Sequence, residues 1–158
     1  MVALKSSEID GFVARPDKGR PIVLVFGPDA GLVRERAEAL LATAVDDPRD
    51  PFALVRLDGD ELSDPMRLVE EANTVPLFGG RRAVAIKVGR RSIVTAVEAL
   101  VASPAPNCRV IIEAGDLKRT DKLRAVCERA KTAAAIACYA DGERDLARLI
   151  DEEMRAAG

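Results

Sequence analysis

The chain has 158 residues, 48% apolar and 32% charged, with a formal net charge of −2. That suits one globular domain with a real core plus the start of a second, and it excludes a disordered chain or one that binds nucleic acid through bulk charge. No apolar run nears the roughly 20 residues of a membrane span, and the opening MVALKSSEID offers no apolar stretch for a signal peptide. The absence of histidine excludes His-based acid–base chemistry, Ser-His-Asp triads and His-ligated metals, while Cys108, Cys127 and Cys138 are too few and too widely spaced for a disulfide framework or a zinc site and read as reduced cytosolic thiols.

In chain order, Ser6 or Ser7 can cap a short helix with Ile9, Phe12 and Val13 on one face, ended by Pro16. The first strand is 22–26, IVLVF. It runs into Gly27-Pro28-Asp29-Ala30-Gly31. A helix is expected after Gly31, with Leu32, Val33, Ala37, Leu40, Leu41 and Ala44 inward and Arg34, Glu35, Arg36 and Glu38 outward. A loop at 46–51 leads to a second strand at 52–57, stopped by Asp58-Gly59. Leu62, Met66, Val69 and Ala72 recur at helical spacing until Val75-Pro76-Leu77-Phe78-Gly79-Gly80 breaks the pattern. The third strand is 82–88. Ile93, Val94, Val97, Leu100 and Val101 mark a helix closed by Ser103-Pro104. A fourth strand (108–114), a helix striped by Leu123, Val126, Cys127 and Ala130, and a fifth strand (133–139) follow. A last helix, with Leu146, Leu149, Ile150 and Met154, opens after Asp141-Gly142. Strands that are apolar runs, alternating with helices, imply an α/β domain of three layers around a mainly parallel five-stranded sheet with right-handed crossovers.

The strand–glycine turn–helix at 22–41 has the layout of a phosphate-binding loop. Its chemistry is missing. The motif G-x-x-x-x-G-K-[ST] needs a Lys on the phosphates and a hydroxyl on the metal, yet only three residues separate Gly27 from Gly31, and Leu32 and Val33 follow. Asp29 adds an anion where an anion would bind, so Gly27, Pro28, Asp29, Ala30 and Gly31 read as a degenerate loop that holds no nucleotide. For a metal-binding acid at a strand end, Lys87-Val88 is unsuited. Glu113 and Asp116 are the available carboxylates, and a strand-end or cap role fits them better. Leu77 and Phe78, flanked by Pro76 and Gly79, read either as core residues under a loop or as an apolar pair presented to a partner. Arg81, Arg82, Lys87, Arg90 and Arg91 form a basic cluster in sequence, either a solvated run or a contact for an acidic partner or a phosphate.

Three passages, VLVFGPDAGLVRERA, NTVPLFGGRRAVAIK and CRVIIEAGDLKRTDKLRAVCE, resemble the N-terminal domain of the delta subunit of the bacterial DNA polymerase III clamp loader. The resemblance implies an AAA+-type domain over residues 1–140 and the first helix of a lid domain over 141–158, with the rest of the lid and an oligomerising collar beyond. It also implies a cytoplasmic, non-catalytic subunit of the DNA-directed DNA polymerase (nucleotidyltransferase) holoenzyme that needs no cofactor. Such a subunit binds and helps open the sliding clamp (beta subunit), assembles with gamma/tau and delta-prime, and meets DNA only through the complex. Leu77 and Phe78 match the pair that the family inserts into an apolar pocket of the clamp. Without the collar, this chain is expected to be a monomer. The rival readings are an active P-loop NTPase or nucleotide kinase and a plain α/β scaffold.

Overall fold

The apolar runs at 22–26, 82–87, 108–113 and 133–137 become strands largely buried on both faces, whereas 54–58, at the edge of the sheet, is only partly buried. A computed structural model of the chain describes residues 6–76 and 79–139. The elements are α1 (Ser6–Ala14), β1 (Ile22–Phe26), α2 (Ala30–Ala42), β2 (Leu54–Asp58), α3 (Arg67–Ala72), β3 (Arg82–Lys87), α4 (Val94–Ala102), β4 (Cys108–Glu113), α5 (Lys122–Arg129) and β5 (Ala133–Ala137). The sheet order is β2-β3-β4-β1-β5, and every pairing is parallel.

The period of two along β1 divides the core. Ile22, Leu24 and Phe26, with Val84, Ile86, Val110 and Ile112, pack on Leu68, Leu100 and Leu123 of α3, α4 and α5. Val23 and Val25, with Ile111, Ala134 and Ile136, pack on Ile9 and Phe12 of α1 and on Val33 and Leu40 of α2. Burying each of these large side chains is worth about 1.5–3 kcal/mol. The chain leaves β1 toward β2 with α2 on one face, then returns across the sheet with α3, α4 and α5 on the other. Reversing direction and face together keeps one crossover handedness throughout.

Some expected boundaries move, each for a local reason. The second strand starts at Leu54 rather than residue 52: Asp50 Oδ1 accepts a hydrogen bond from Phe52 N (2.9 Å), which makes a turn there and leaves Phe52 80% exposed. α3 begins at Arg67, so Leu62 and Met66 precede it, and its buried residues are Leu68 and Ala72. α2 starts at Ala30, which puts Gly31 inside the first turn. Arg36, expected outward, is only 6% exposed. It lies three residues after Val33 and four before Leu40, hence on the apolar face, and donates to Ala137 O (3.1 Å) at the end of edge strand β5. The last expected helix, with Leu146, Leu149, Ile150 and Met154, and the whole of 141–158 lie outside the described residues.

Candidate functional site

In an open parallel sheet the natural crevice lies outside the carboxyl ends of two neighbouring strands whose helices leave to opposite faces. Here those strands are β1, followed by α2, and β4, followed by α5. The two loops that would part around a ligand are bonded to each other: Gly27 N donates to Gly115 O (3.0 Å) and Ala114 N to Val25 O (2.9 Å). Asp29 N donates to Cys138 O (3.4 Å), and Pro28 has no N–H. Asp29 is the N-cap of α2, its carboxylate accepting from Leu32 N (3.1 Å). Of the donors that could cradle a phosphate, Gly27 N and Asp29 N are thus bonded to neighbouring backbone and Leu32 N to the Asp29 carboxylate. Gly27 sits at φ +146°, and a Cβ there would lie 2.1 Å from Cys138 O, so the turn requires glycine for close backbone packing.

Around this turn the side chains are paired. Glu113 ends β4 half-buried, 4.0 Å from Arg34 Nη1. Asp116 is exposed. Arg56 meets Glu38 through two bonds (2.7 and 2.9 Å), which holds the Glu38 carboxyl below its ordinary value. Arg124 lies over the Phe26 ring, 4.8 Å from its centre, and bonds Glu128 and Leu117 O. Burial raises the thiols of Cys108 and Cys127 to about 11 and about 12, so both stay protonated near neutrality and neither is a nucleophile. The described residues contain no cluster of acids and cysteines fit for a metal.

The five clustered cations are not brought together. Arg81 and Arg82 stand at the start of β3 and Lys87 at its end, roughly 16 Å away at about 3.3 Å per residue. Arg81 donates to Thr43 O (3.1 Å) and Asp46 (2.8 Å). Arg91 donates to Leu62 O and Ser63 O, and the Arg90 backbone N–H to Asp60 (2.7 Å). Lys87 is exposed, whereas Arg82 is buried. A cleft of about 440 Å³ at the amino ends of the strands is bordered by Lys18, Arg81, Arg82 and Arg109. There Arg109 donates to Leu40 O (3.0 Å), near the C-terminus of α2.

The segment between α3 and β3 is built differently. Leu77 and Phe78 lie outside the described residues, but their frame does not. Val75 is 84% exposed. Gly79 N donates to Pro76 O (3.2 Å), so the chain enters and leaves the stretch at neighbouring points. Gly79 and Gly80 have φ of +73° and +94°, and a Cβ on either would meet nothing within 4 Å. A shallow hollow of about 190 Å³ opens beside them, lined by Thr74, Val75, Pro76 and Arg82 among others. Sequence reasoning missed the exposed Phe52 and the buried role of Arg82. An arginine opening an apolar strand beside two glycines was the available signal.

A family model described as DNA polymerase III, delta subunit, matches residues 24–140. The fold is similar to the Bacillus subtilis DNA clamp loader delta protein, with a TM-score of 0.64 at 22% identity over 84% of this chain and 42% of that one. It is also similar to a DNA polymerase III gamma subunit-related protein from Thermotoga maritima, with a TM-score of 0.56 at 14% identity over 88% of this chain and 48% of that one. The chain thus spans less than half the length of either structure. No curated protein matches the sequence.

Proposed function

Since the chain belongs to the DNA polymerase III delta-subunit family, we propose that it is the sliding-clamp-binding domain of a clamp-loader subunit acting in DNA replication. Leu77 and Phe78 are its anchors, with Pro76 and Gly79 setting where the pair leaves the fold. The observation that carries this reading is the contrast at the surface. The segment 73–81 combines an 84%-exposed Val75 with two open glycines at positive φ. The nucleotide-like turn at Gly27 bonds to its own neighbours. A compact apolar pair can contribute several kcal/mol to such an interface.

The domain hydrolyses no ATP on this reading, because the loop lacks its Lys, bonds its Gly27 and Asp29 N–H groups to neighbouring backbone and carries the Asp29 carboxylate at the helix N-terminus. In a longer protein, residues 141–158 open the lid, and assembly with gamma/tau and delta-prime subunits brings the chain to DNA. Residues 1–158 by themselves are monomeric on this reading. No helix among the described residues is long and apolar enough to cross a membrane. Membership of a replication-subunit family supports a cytoplasmic location.

Surface plasmon resonance over immobilised cognate clamp tests the reading. The chain should bind, and the double change Leu77→Ala/Phe78→Ala should abolish most of the signal. Absence of binding at micromolar chain, or an unaltered affinity of the folded double variant, would sink it. The rival, an active P-loop NTPase, requires titration calorimetry with ATP and magnesium to give a Kd near about 1 μM, roughly −8 kcal/mol.

A further inference from the structure

We propose that Arg82 is the positioning residue of the clamp-binding segment, its buried guanidinium holding the base from which Leu77 and Phe78 are presented. The inference rests on the clamp-binding reading above. Arg82 is 4% exposed. Its Nη1 donates to Glu71 O (2.5 Å) and Thr74 O (3.0 Å), its Nε donates to Phe52 O (3.2 Å), and its Nη2 stands 3.8 Å from Glu71 Oε2. Glu71 O lies in the last turn of α3, where it also accepts from Thr74 N (3.2 Å), and Thr74 O lies just past the helix end; the C-terminal end of a helix favours a cation. Phe52 O belongs to the turn before β2. One planar fork therefore ties two separate pieces of backbone together, a task for which the point charge of lysine is poorly shaped.

The other end of the segment returns to the same residue. Arg82 N donates to Asn107 O (2.9 Å), which locks the start of β3 into the sheet. The stretch 75–81 thus begins beside a carbonyl held by the Arg82 side chain and ends on the Arg82 backbone. Between these points the described residues pack little, since Val75 is largely exposed and Gly79 and Gly80 face open space. Both ends of the stretch are thus restrained at Arg82, and a restrained base lowers the ordering cost of docking the pair.

The test measures clamp affinity by surface plasmon resonance, beside a melting curve, for R82K and R82M. Each is made in the unaltered chain and in the L77A/F78A chain. R82K should fold and weaken clamp binding by about fivefold to twentyfold, with R82M weaker still. Neither should weaken the residual binding of L77A/F78A any further. Folded R82K and R82M that bind within about twofold of the unaltered chain overturn the proposal, as does an equal loss in both backgrounds. If neither variant folds, amide exchange in the unaltered chain decides: protected Thr74 and Gly79 amides support a fixed base, and unprotected ones overturn it. L77A/F78A that binds as tightly as the unaltered chain overturns the clamp-binding reading and this inference with it. Weak L77A/F78A beside tight R82K and R82M overturns this inference alone.

Discussion

The turn after β1 and the segment after α3 use the same backbone device for opposite ends. Both hold glycine at positive φ. At Gly27 the missing Cβ admits the Cys138 carbonyl, and the turn closes on its neighbours. At Gly79 and Gly80 the missing Cβ meets only open space, and the glycines serve the direction of the chain alone. A glycine-rich turn becomes a ligand site only when its N–H groups point at the ligand. Here the Gly27 and Asp29 N–H groups point at Gly115 O and Cys138 O. The stretch with the more familiar layout thus bonds to its own neighbours, whereas the plainer one leaves Val75 and two glycines open to solvent.

The largest expected effect tests the outward half of this comparison. Leu77→Ala/Phe78→Ala should weaken clamp binding by about 3–6 kcal/mol, at about 1.5–3 kcal/mol for each buried side chain. On the clamp-binding reading the melting temperature should move little, because truncating a pair presented to a partner opens no core cavity. A collapsed melting temperature with unaltered affinity would make this segment as self-contained as the turn, and the contrast would break.

Next comes the inward half. Gly27→Ala should cost about 2–4 kcal/mol of folding stability in urea titration, because the new Cβ meets rigid backbone at an unfavourable φ. Gly79→Ala should cost only about 1–2 kcal/mol, from φ alone. Equal losses would show that the two glycines do not differ in kind.

Asp29→Ala removes the cap of α2 and should cost about 1 kcal/mol. It should not create ATP binding, since the Gly27 and Asp29 N–H groups remain bonded inward and no Lys is supplied. Calorimetry showing micromolar ATP affinity in that variant would mean that the carboxylate alone had been closing a competent site.

The smallest effect lies beside the turn, on the outer face of α2. The hydrogen bond from Arg56 holds the Glu38 carboxyl below its ordinary 4.5. A carboxyl lowered on folding contributes stability that is fully present above about pH 4.5 and is lost as pH falls through the lowered value. The pair is half-exposed and screened, so the contribution is under about 1 kcal/mol. Glu38→Gln should remove that part of the acid slope in urea titrations between pH 3 and pH 5. An unchanged slope would show the pair to be worth nothing in solution.

Much of the architecture was legible from local pattern. Strands 22–26 and 133–137 are unbroken apolar runs, as parallel strands covered by helices on both faces require. The spacing of Ala37, Leu40 and Leu41 located the inner face of α2. The missing Lys of the phosphate loop was legible too, because Leu32 and Val33 stand where the motif has Lys and a hydroxyl residue. The resemblance, rather than periodicity, singled out Leu77 and Phe78. The turn at Phe52 was misread because an apolar residue beside a strand looks like part of it, while Asp50 decides the backbone there.

The sequence by itself determined the order and type of the elements, the parallel sheet and the absence of a cation for phosphate, since each depends on residue type and near spacing. Only the tertiary structure decided which arginines are buried, how the five cations divide between the two ends of β3, and where the turn's N–H groups go. The reason is the identity of the partners. Arg36 bonds a carbonyl 101 residues away, Arg82 one 30 residues away, and Gly27 the carbonyl of Gly115. Every residue carries a carbonyl, so no residue type marks the one that will accept, and the choice is made when the strands and helices come together.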